Sequence, residues 1–417
     1  MQNAPEHKVQ VLKFGFYGLL KNLRFFEPYM IIYFLLSGLN LFYVGLLFSI
    51  REIVIYVFEI PSGVIADRYG KKTELIICFI FYITSFLIFF IADGFLMFVF
   101  GMFFYALGEA FRSGTHKSMI MAYIDKHRIT ESKTKIYGLT RSYSLIGSMI
   151  ASLVSIILVL WLPEIRYLFL IAIIPYLLDL LLVLTYPNYL NDRKDSEFTI
   201  KSFIKHNVES IKYTFSKSNV RNAIFNSASY QAAFKSIKDY IQPIIITITV
   251  SYALFTSFSA DDNTKIYIGL IYAVIYLISA IASKNSYRFK VFGQTKTMVR
   301  NMWLLSGLAI LILSVSLDSM LMVFVIFTIL YVLMNIRRPM MVERIGDVTH
   351  PDKRASVLSV ESQMTSILIA IFAPLIGLLA EYSMSLLFLV FGTFMIFIFI
   401  FSVFNSNSKK KNELSSS

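Results

Sequence analysis

The ten residues Gly63-Val-Ile-Ala-Asp67-Arg68-Tyr-Gly70-Lys71-Lys72 break an apolar chain with a burst of charge. An apolar run over 43–65 leads into them and another over 75–92 follows. A charged side chain at the centre of a bilayer costs about 2.5–3.5 kcal/mol on insertion scales. The cluster therefore reads as a short loop at a membrane surface, joining two helices that cross the hydrocarbon. Gly63 and Gly70 permit close packing or a tight turn, and Asp67 suits a cation or a helix N-terminus.

The pattern continues outward in both directions. Of the 417 residues 57% are hydrophobic and 16% charged, against about 25% charged in soluble domains. Apolar runs near bilayer length recur at 14–38, 43–65, 75–92, 95–116, 139–161, 166–186, 223–250, 266–283, 298–316, 319–337, 357–380 and 383–404. The fold class is thus an all-α polytopic membrane protein of twelve transmembrane helices. Lysine and arginine crowd alternate connections, at 67–74, 117–138, 188–222, 284–297, 338–354 and the tail Lys409–Lys411. The remaining connections are short and carry acids such as Asp93, Asp261, Asp262 and Asp318. That asymmetry places both termini in the cytoplasm of a cell membrane. It also accounts for the net charge of +13 without a nucleic-acid partner. The single cysteine, Cys78, excludes an intrachain disulfide, and the N-terminus lacks a cleavable signal pattern.

The long basic connection divides the chain into a first six-helix bundle (1–187), a linker (188–222), a second bundle (223–404) and a cytoplasmic tail (405–417). Within the linker, Ile204, Val208, Ile211 and Phe215 recur at helical spacing among lysines. They fit an amphipathic helix on the membrane surface, or a solvated linker. The two bundles resemble each other. Span one carries Lys21, Arg24 and Glu27-Pro28, and span seven carries Lys235, Lys238 and Gln242-Pro243. Spans two and eight open on Gly45 and Gly269, and spans four and ten carry Arg112 and Arg337-Arg338 near their inner ends. Three correspondences in one order indicate a duplicated unit, so the bundles are pseudo-symmetric. Two such halves in parallel orientation are a transporter design with the site between them.

The stretch Gly63–Lys72 closely resembles the signature loop of the major facilitator superfamily: glycine, three residues, Asp-Arg, one residue, glycine, two basic residues. It falls between spans two and three, as in that family, and the resemblance covers essentially the whole chain. It implies a secondary transporter whose motif loop, here Gly63, Asp67, Arg68, Gly70 and Lys71, latches the outward-open state. Glu59, just upstream, reads as support for that latch. The counterpart around Tyr287–Gly293 keeps basic character without the pattern. In span five, Gly147 and Ala151 form a small-residue face with no proline after them, unlike the drug-antiporter branch.

Buried charges nominate the site. Glu109, Arg112 and His116 share one face of span four at three- and four-residue spacing. His116 lies deeper and reads as a surface group. Ser227, Gln231, Lys235, Lys238 and Gln242 form one polar stripe on span seven. The cavity candidates are Lys21, Arg24, Arg112, Gln231, Lys235, Lys238 and Gln242. The proton-coupling candidates are Glu27, Glu109 and Asp239, because burial and nearby cations pull a carboxylate in opposite directions. Asp239 also suits the neutralisation of Lys235 or Lys238. Arg141, Arg337, Arg338 and Glu361 lie near the inner surface and form a gate. Arg51–Glu52 reads as a structural pair or outer gate, and Asp179 as structural. The aromatic residues read mostly as lipid-facing bulk and interface anchors.

No phosphate loop, metal-ligand spacing or nucleotide domain is present in the sequence, so neither an enzyme nor a cofactor is expected. The expected partners are a small-molecule substrate, protons and the lipid bilayer, with the chain a monomer. The leading expectation is proton-coupled efflux. Uptake or exchange of an anionic metabolite is the alternative, favoured by the cationic cavity candidates. A non-transporting sensor of the same fold is the third.

Overall fold

The computed structural model describes residues 4–112, 115–127, 133–191, 208–209, 211–249, 259–285, 295–350 and 353–414. Among the described residues there is no strand. The first half comprises α1 (Ala4–Lys21), α2 (Met30–Leu36), α3 (Leu41–Tyr69), α4 (Lys71–Ile91), α5 (Phe95–Arg112), α6 (Thr115–Lys126), α7 (Lys133–Trp161) and α8 (Tyr167–Leu184). The second comprises α9 (Ser218–Ile237), α10 (Ile241–Thr249), α11 (Ala260–Lys284), α12 (Thr295–Ser314), α13 (Met320–Val348), α14 (Arg354–Tyr382) and α15 (Met384–Leu414). Ten helices carry stretches long and apolar enough to cross a membrane. The pairs α1–α2 and α9–α10 make the other two crossings, giving twelve.

Those two pairs are broken within spans read as single helices, where a kink was expected at Pro243 alone. Pro28 has no N–H to give the Arg24 carbonyl. That carbonyl instead accepts from Glu27 N at 3.0 Å, and Glu27–Tyr29 forms a 3₁₀ turn. Pro243 likewise follows a 3₁₀ turn, Lys238–Tyr240. Span four also differs from its expected extent: α5 stops at Arg112, and His116 belongs to the separate helix α6. Other ends follow local caps. Asn40 accepts from Tyr43 N and starts α3; Ser259 accepts from Asp262 N and starts α11 ahead of the apolar run. The tail remains helical to Leu414. In the linker, 211–216 is helical, with Val208, Ile211 and Phe215 exposed; Ile204 lies outside the described residues, as does the loop around Tyr287–Gly293.

Helix pairings repeat between the halves. α1 packs on α7 as α9 packs on α14; α4 on α8 as α12 on α15; α3 on α5 as α11 on α13. The halves meet along α3–α14 and α7–α11. Close approach there depends on missing side chains: a Cβ on Gly45 would lie 2.3 Å from the Ala373 carbonyl oxygen, and one on Gly377 2.5 Å from that of Leu41. The aromatic residues do not mainly face lipid in the first half. Phe26, Phe86, Phe89, Phe98 and Phe169 are fully or almost fully buried, and Phe26 stacks on Phe169 at 4.6 Å. With hydrocarbon outside, dense packing rather than water exclusion holds such a core together.

An even number of crossings puts both termini and the loop at Gly70 on one face, here the proximal face. Hydrogen bonds joining the halves gather towards the distal face. Leu41 N donates to Glu381 Oε2 at 2.8 Å, Tyr29 Oη to the Lys265 carbonyl at 2.8 Å, and Ser49 Oγ to the Ala370 carbonyl at 2.7 Å.

Candidate functional site

The break after α1 presents Arg24 to α5. Its Nη2 lies 2.6 Å from Glu109 Oε1, its Nη1 donates to Tyr105 Oη at 2.6 Å, and its Nε to Tyr176 Oη at 2.9 Å. Arg112, one turn along α5, holds the other carboxylate oxygen at 2.5 Å. Tyr82 Oη donates to Glu109 Oε1 at 2.5 Å and accepts from Arg112 Nε at 3.2 Å. Glu109 thus joins two guanidiniums and a phenol. Lys21, on the last turn of α1, lies within electrostatic reach of Arg24, Arg112, Glu109 and Asp179. His116 is not a surface group: its ring stacks on Tyr17 at 3.6 Å, and its Nε2 lies 3.2 Å from Tyr186 Oη.

The second half repeats the theme with other partners. Glu361 on α14 is buried, and its Oε1 accepts from Ser227 Oγ at 2.7 Å, from Gln231 Nε2, and from Arg338 Nη1 at 2.6 Å. Its Oε2 is buried with no hydrogen-bond partner among the described residues. Arg337 is 2% exposed, which points it into the protein; it donates to the Asn226 side chain and carbonyl and lies 4.1 Å from the centre of the Tyr230 ring. Lys238 closes on Asp239 at 2.7 Å, and Tyr272 Oη donates to the same carboxylate at 3.3 Å.

Gln242 joins the two broken spans. It is wholly buried; its Oε1 accepts from Ile31 N at 2.9 Å, and its Nε2 donates to the Glu27 carbonyl at 3.3 Å and to Tyr272 Oη at 3.2 Å. The stripe expected on span seven is therefore divided. Ser227 and Gln231 turn to Glu361, and Gln242 turns to span one. Lys235 between them is exposed, although its helical neighbours Phe234 and Ser236 are buried. It lies within electrostatic reach of Arg51 and Glu52 in one half and of Arg338 and Glu361 in the other, so it opens into the crevice between the bundles. Glu52 pairs with Arg51 at 3.0 Å and accepts from Ser366 Oγ across the halves at 2.9 Å. Glu27 is half-buried, and its carboxylate has no hydrogen bond or ion pair among the described residues. It is close enough to influence Tyr272, Tyr276 and Tyr331 of the second half.

The loop Gly63–Lys72 is held from within its own half. Gly70 adopts φ +96°, which favours glycine, and ends α3. Asn191, just beyond α8, accepts from Lys72 N at 3.0 Å, and Lys72 Nζ donates to the carbonyls of Leu184 and Tyr186 at 2.7 and 3.1 Å. Lys71 is half-buried, and Arg68 is exposed, with its guanidinium 5.4 Å from the Tyr69 ring centre. Gly63 lies within α3; the side chain of Asp67 is outside the described set. Of the inner-gate candidates, Arg141 alone bridges the halves among the described contacts, donating to Asn335 Oδ1 at 3.3 Å. Sequence reasoning missed Tyr82, Tyr105, Tyr176, Asn191, Asn226 and Asn335. All but Asn191, which opens the linker, are polar residues in spans, and the partner that gives each meaning is distant in the chain.

Two parallel repeats of six crossings, with ionisable groups facing a crevice where the repeats meet, define the architectural class of secondary transporters. The chain belongs to the Major Facilitator Superfamily, whose family model matches residues 22–283. It is 25% identical over 222 residues to an uncharacterized MFS-type transporter, YxaM, of Bacillus subtilis (strain 168). That match spans 53% of this chain and 54% of the relative, so the chain aligns with about half the relative's length. Solved structures agree in fold. The nucleoside transporter NupG superposes with a TM-score of 0.77 at 12% identity, over 94% of this chain and 98% of that one. A POT family transporter in complex with a thioalcohol-conjugated peptide gives 0.71 at 16% identity, over 96% of each chain.

Proposed function

We propose that the chain moves a small organic molecule across the cell membrane by alternating access, in exchange for protons. The observation that carries this reading is the Glu27 carboxylate. It stands at the joint of a broken span, against the second half, with neither a hydrogen bond nor an ion pair among the described residues. Its place at that joint puts it in reach of whatever enters or leaves the crevice. Glu109 and Asp239, the other candidates, are engaged by Arg24, Arg112 and Lys238. Lys235 faces the substrate, and Arg141 with Asn335 belongs to the gate on the proximal side. The basic connections favour the cytoplasm for that side, and the distal fastening favours a crevice that opens inward once Arg141 releases Asn335. The halves 1–187 and 223–404 rock about the 188–222 linker within one monomer.

The relatives named above transport a nucleoside and bind a peptide conjugate, and both chemistries belong in the first screen. Everted membrane vesicles carrying the chain, energised by a proton gradient, are to be offered nucleosides, dipeptides, organic cations and organic anions. At least one class is expected to accumulate, with Glu27→Gln abolishing the gradient dependence while membrane insertion is unchanged. Gradient-driven accumulation that persists in Glu27→Gln would remove Glu27 from the mechanism.

A further inference from the structure

The first half holds a second, partly open space, whose lining does not include Glu27 or Lys235. A cavity of about 370 Å³ lies among α1, α5, α6 and α7, within the size range of small-molecule sites, roughly 300–1,000 Å³. Its wall includes Lys21, Arg112, Arg141, His116 and Tyr17, and no carboxylate is among the described residues that line it. The neighbouring acids are placed elsewhere. Glu109 is bound to Arg24, Arg112 and Tyr82. Asp179, within electrostatic reach of Lys21, is wholly buried and lines no part of the cavity. Even with both acids ionised, the cations Lys21, Arg24, Arg112 and Arg141 outnumber them four to two.

Unused donors lie in the same wall. Among the described residues, the Tyr17 hydroxyl and Arg141 Nε are buried and have no hydrogen-bond partner. Lys21 makes no hydrogen bond or ion pair through its ammonium among the described residues. Donors left unmade in a protein interior are costly, and here they come from different helices and carry excess positive charge. The complement is a ligand that brings several acceptors and a negative charge. Guanidinium and ammonium together suit a carboxylate or a phosphate, the first offering planar donors and the second a compact charge.

We propose that this cavity binds the carboxylate or phosphate group of the transported molecule, held by Lys21, Arg112 and Arg141 with Tyr17 as a further donor. The assignment rests on the transport reading above and adds the substrate's chemical class. Arg141 also reaches Asn335 in the other half. An anion that draws its guanidinium into the cavity therefore acts on the contact between bundles, which links occupancy to the proximal gate.

Cys78, the lone cysteine and buried, supplies the readout. A thiol-reactive fluorophore reports its exposure as the purified full chain unfolds on heating in detergent. The probes are inorganic phosphate, succinate and benzoate at fixed pH and ionic strength, with micelles containing phosphatidylglycerol as a separate arm. Saturable stabilisation by at least one soluble anion is expected. Lys21→Gln and Arg141→Gln should weaken half-saturation about tenfold or more. Lys21→Arg should restore most of it, and Lys126→Gln, at the surface, should leave it unchanged. Ser148→Leu, which narrows the cavity and keeps every cation, should abolish the effect and serves if a charge variant does not fold. Absence of saturable stabilisation by all three anions, or stabilisation undiminished in Lys21→Gln and Ser148→Leu, overturns the proposal. Stabilisation by phosphatidylglycerol alone assigns the cavity to a lipid headgroup and also overturns it. The vesicle assay with Glu27→Gln is independent. Gradient-driven flux without anion stabilisation leaves transport standing and removes the anion site; stabilisation without flux does the reverse.

Discussion

Two glutamates in the first half differ in what surrounds them, and the difference sets what each substitution does. Glu109 is the shared counter-charge of Arg24 and Arg112, at 2.6 and 2.5 Å, with the two arginine side chains 12% and 26% exposed. Removing its charge leaves guanidiniums facing each other in a poorly hydrated interior. Breaking a buried pair from one side typically costs about 3–5 kcal/mol, and partial exposure places this site at the low end. Glu109→Gln is expected to destabilise the protein by about 3 kcal/mol, read as a lowered unfolding midpoint in the Cys78 assay. Glu27→Gln removes a charge that has no partner among the described residues and should leave the midpoint close to that of the parent. Equal losses in both variants would show that the two sites are not distinguished as described. Both glutamates were visible in the sequence, and so was the sharing of a face by Glu109 and Arg112. The tyrosine cage was not, because Tyr82, Tyr105 and Tyr176 come from three helices and meet only when those helices pack.

The broken helices show how far an element can be read from its residues. The repeated order of cation, cation, then carboxyl or amide before proline marked Pro28 and Pro243 in advance. Their lack of an N–H is the cause of the breaks. The extent of each break was not legible, because averaging hydropathy across a crossing hides a few residues of 3₁₀ turn. The same averaging carried span four into the first residues of α6, left the rest of α6 in a connection, and hid the caps at Asn40 and Ser259. Glycine carried a message that spacing alone did not deliver: Gly45 and Gly377 admit the backbone of the opposite bundle. Gly377→Leu should hold α3 and α14 apart. The expected result is normal membrane insertion with gradient-driven flux lost. Retained flux would show that the distal seam does not need so close an approach.

At the scale of the molecule, duplication was legible because charge alternation counts crossings and the motif order counts repeats. The equivalence of the pairings α1–α7 with α9–α14 and α4–α8 with α12–α15 needed coordinates. The direction of closure needed them as well, since a sequence holds every state of a moving protein at once. The distal contact of Leu41 with Glu381 offers a direct test. With Cys78→Ser as background, the pair Leu41→Cys and Glu381→Cys should cross-link under oxidation and stop flux, with recovery on reduction. Cross-linking that leaves flux unchanged would mean that the distal seam stays shut throughout the cycle. Asn191 is a further site whose part emerged only in three dimensions: it anchors the signature loop to the end of α8. That role makes the loop a rigid part of its own bundle, able to engage the other half as one body.

Gln242 closes the seam between the broken spans with an amide, a group that carries no net charge at any physiological pH. Neither acidification nor the electrical field across the bilayer can unfasten it by acting on the amide itself. The trigger must reach it through what it grips, and one of those grips is the peptide oxygen of Glu27. On the proposed mechanism, a change at that residue's own carboxyl would reach the amide within a single residue, as a shift of main chain rather than a change in Gln242.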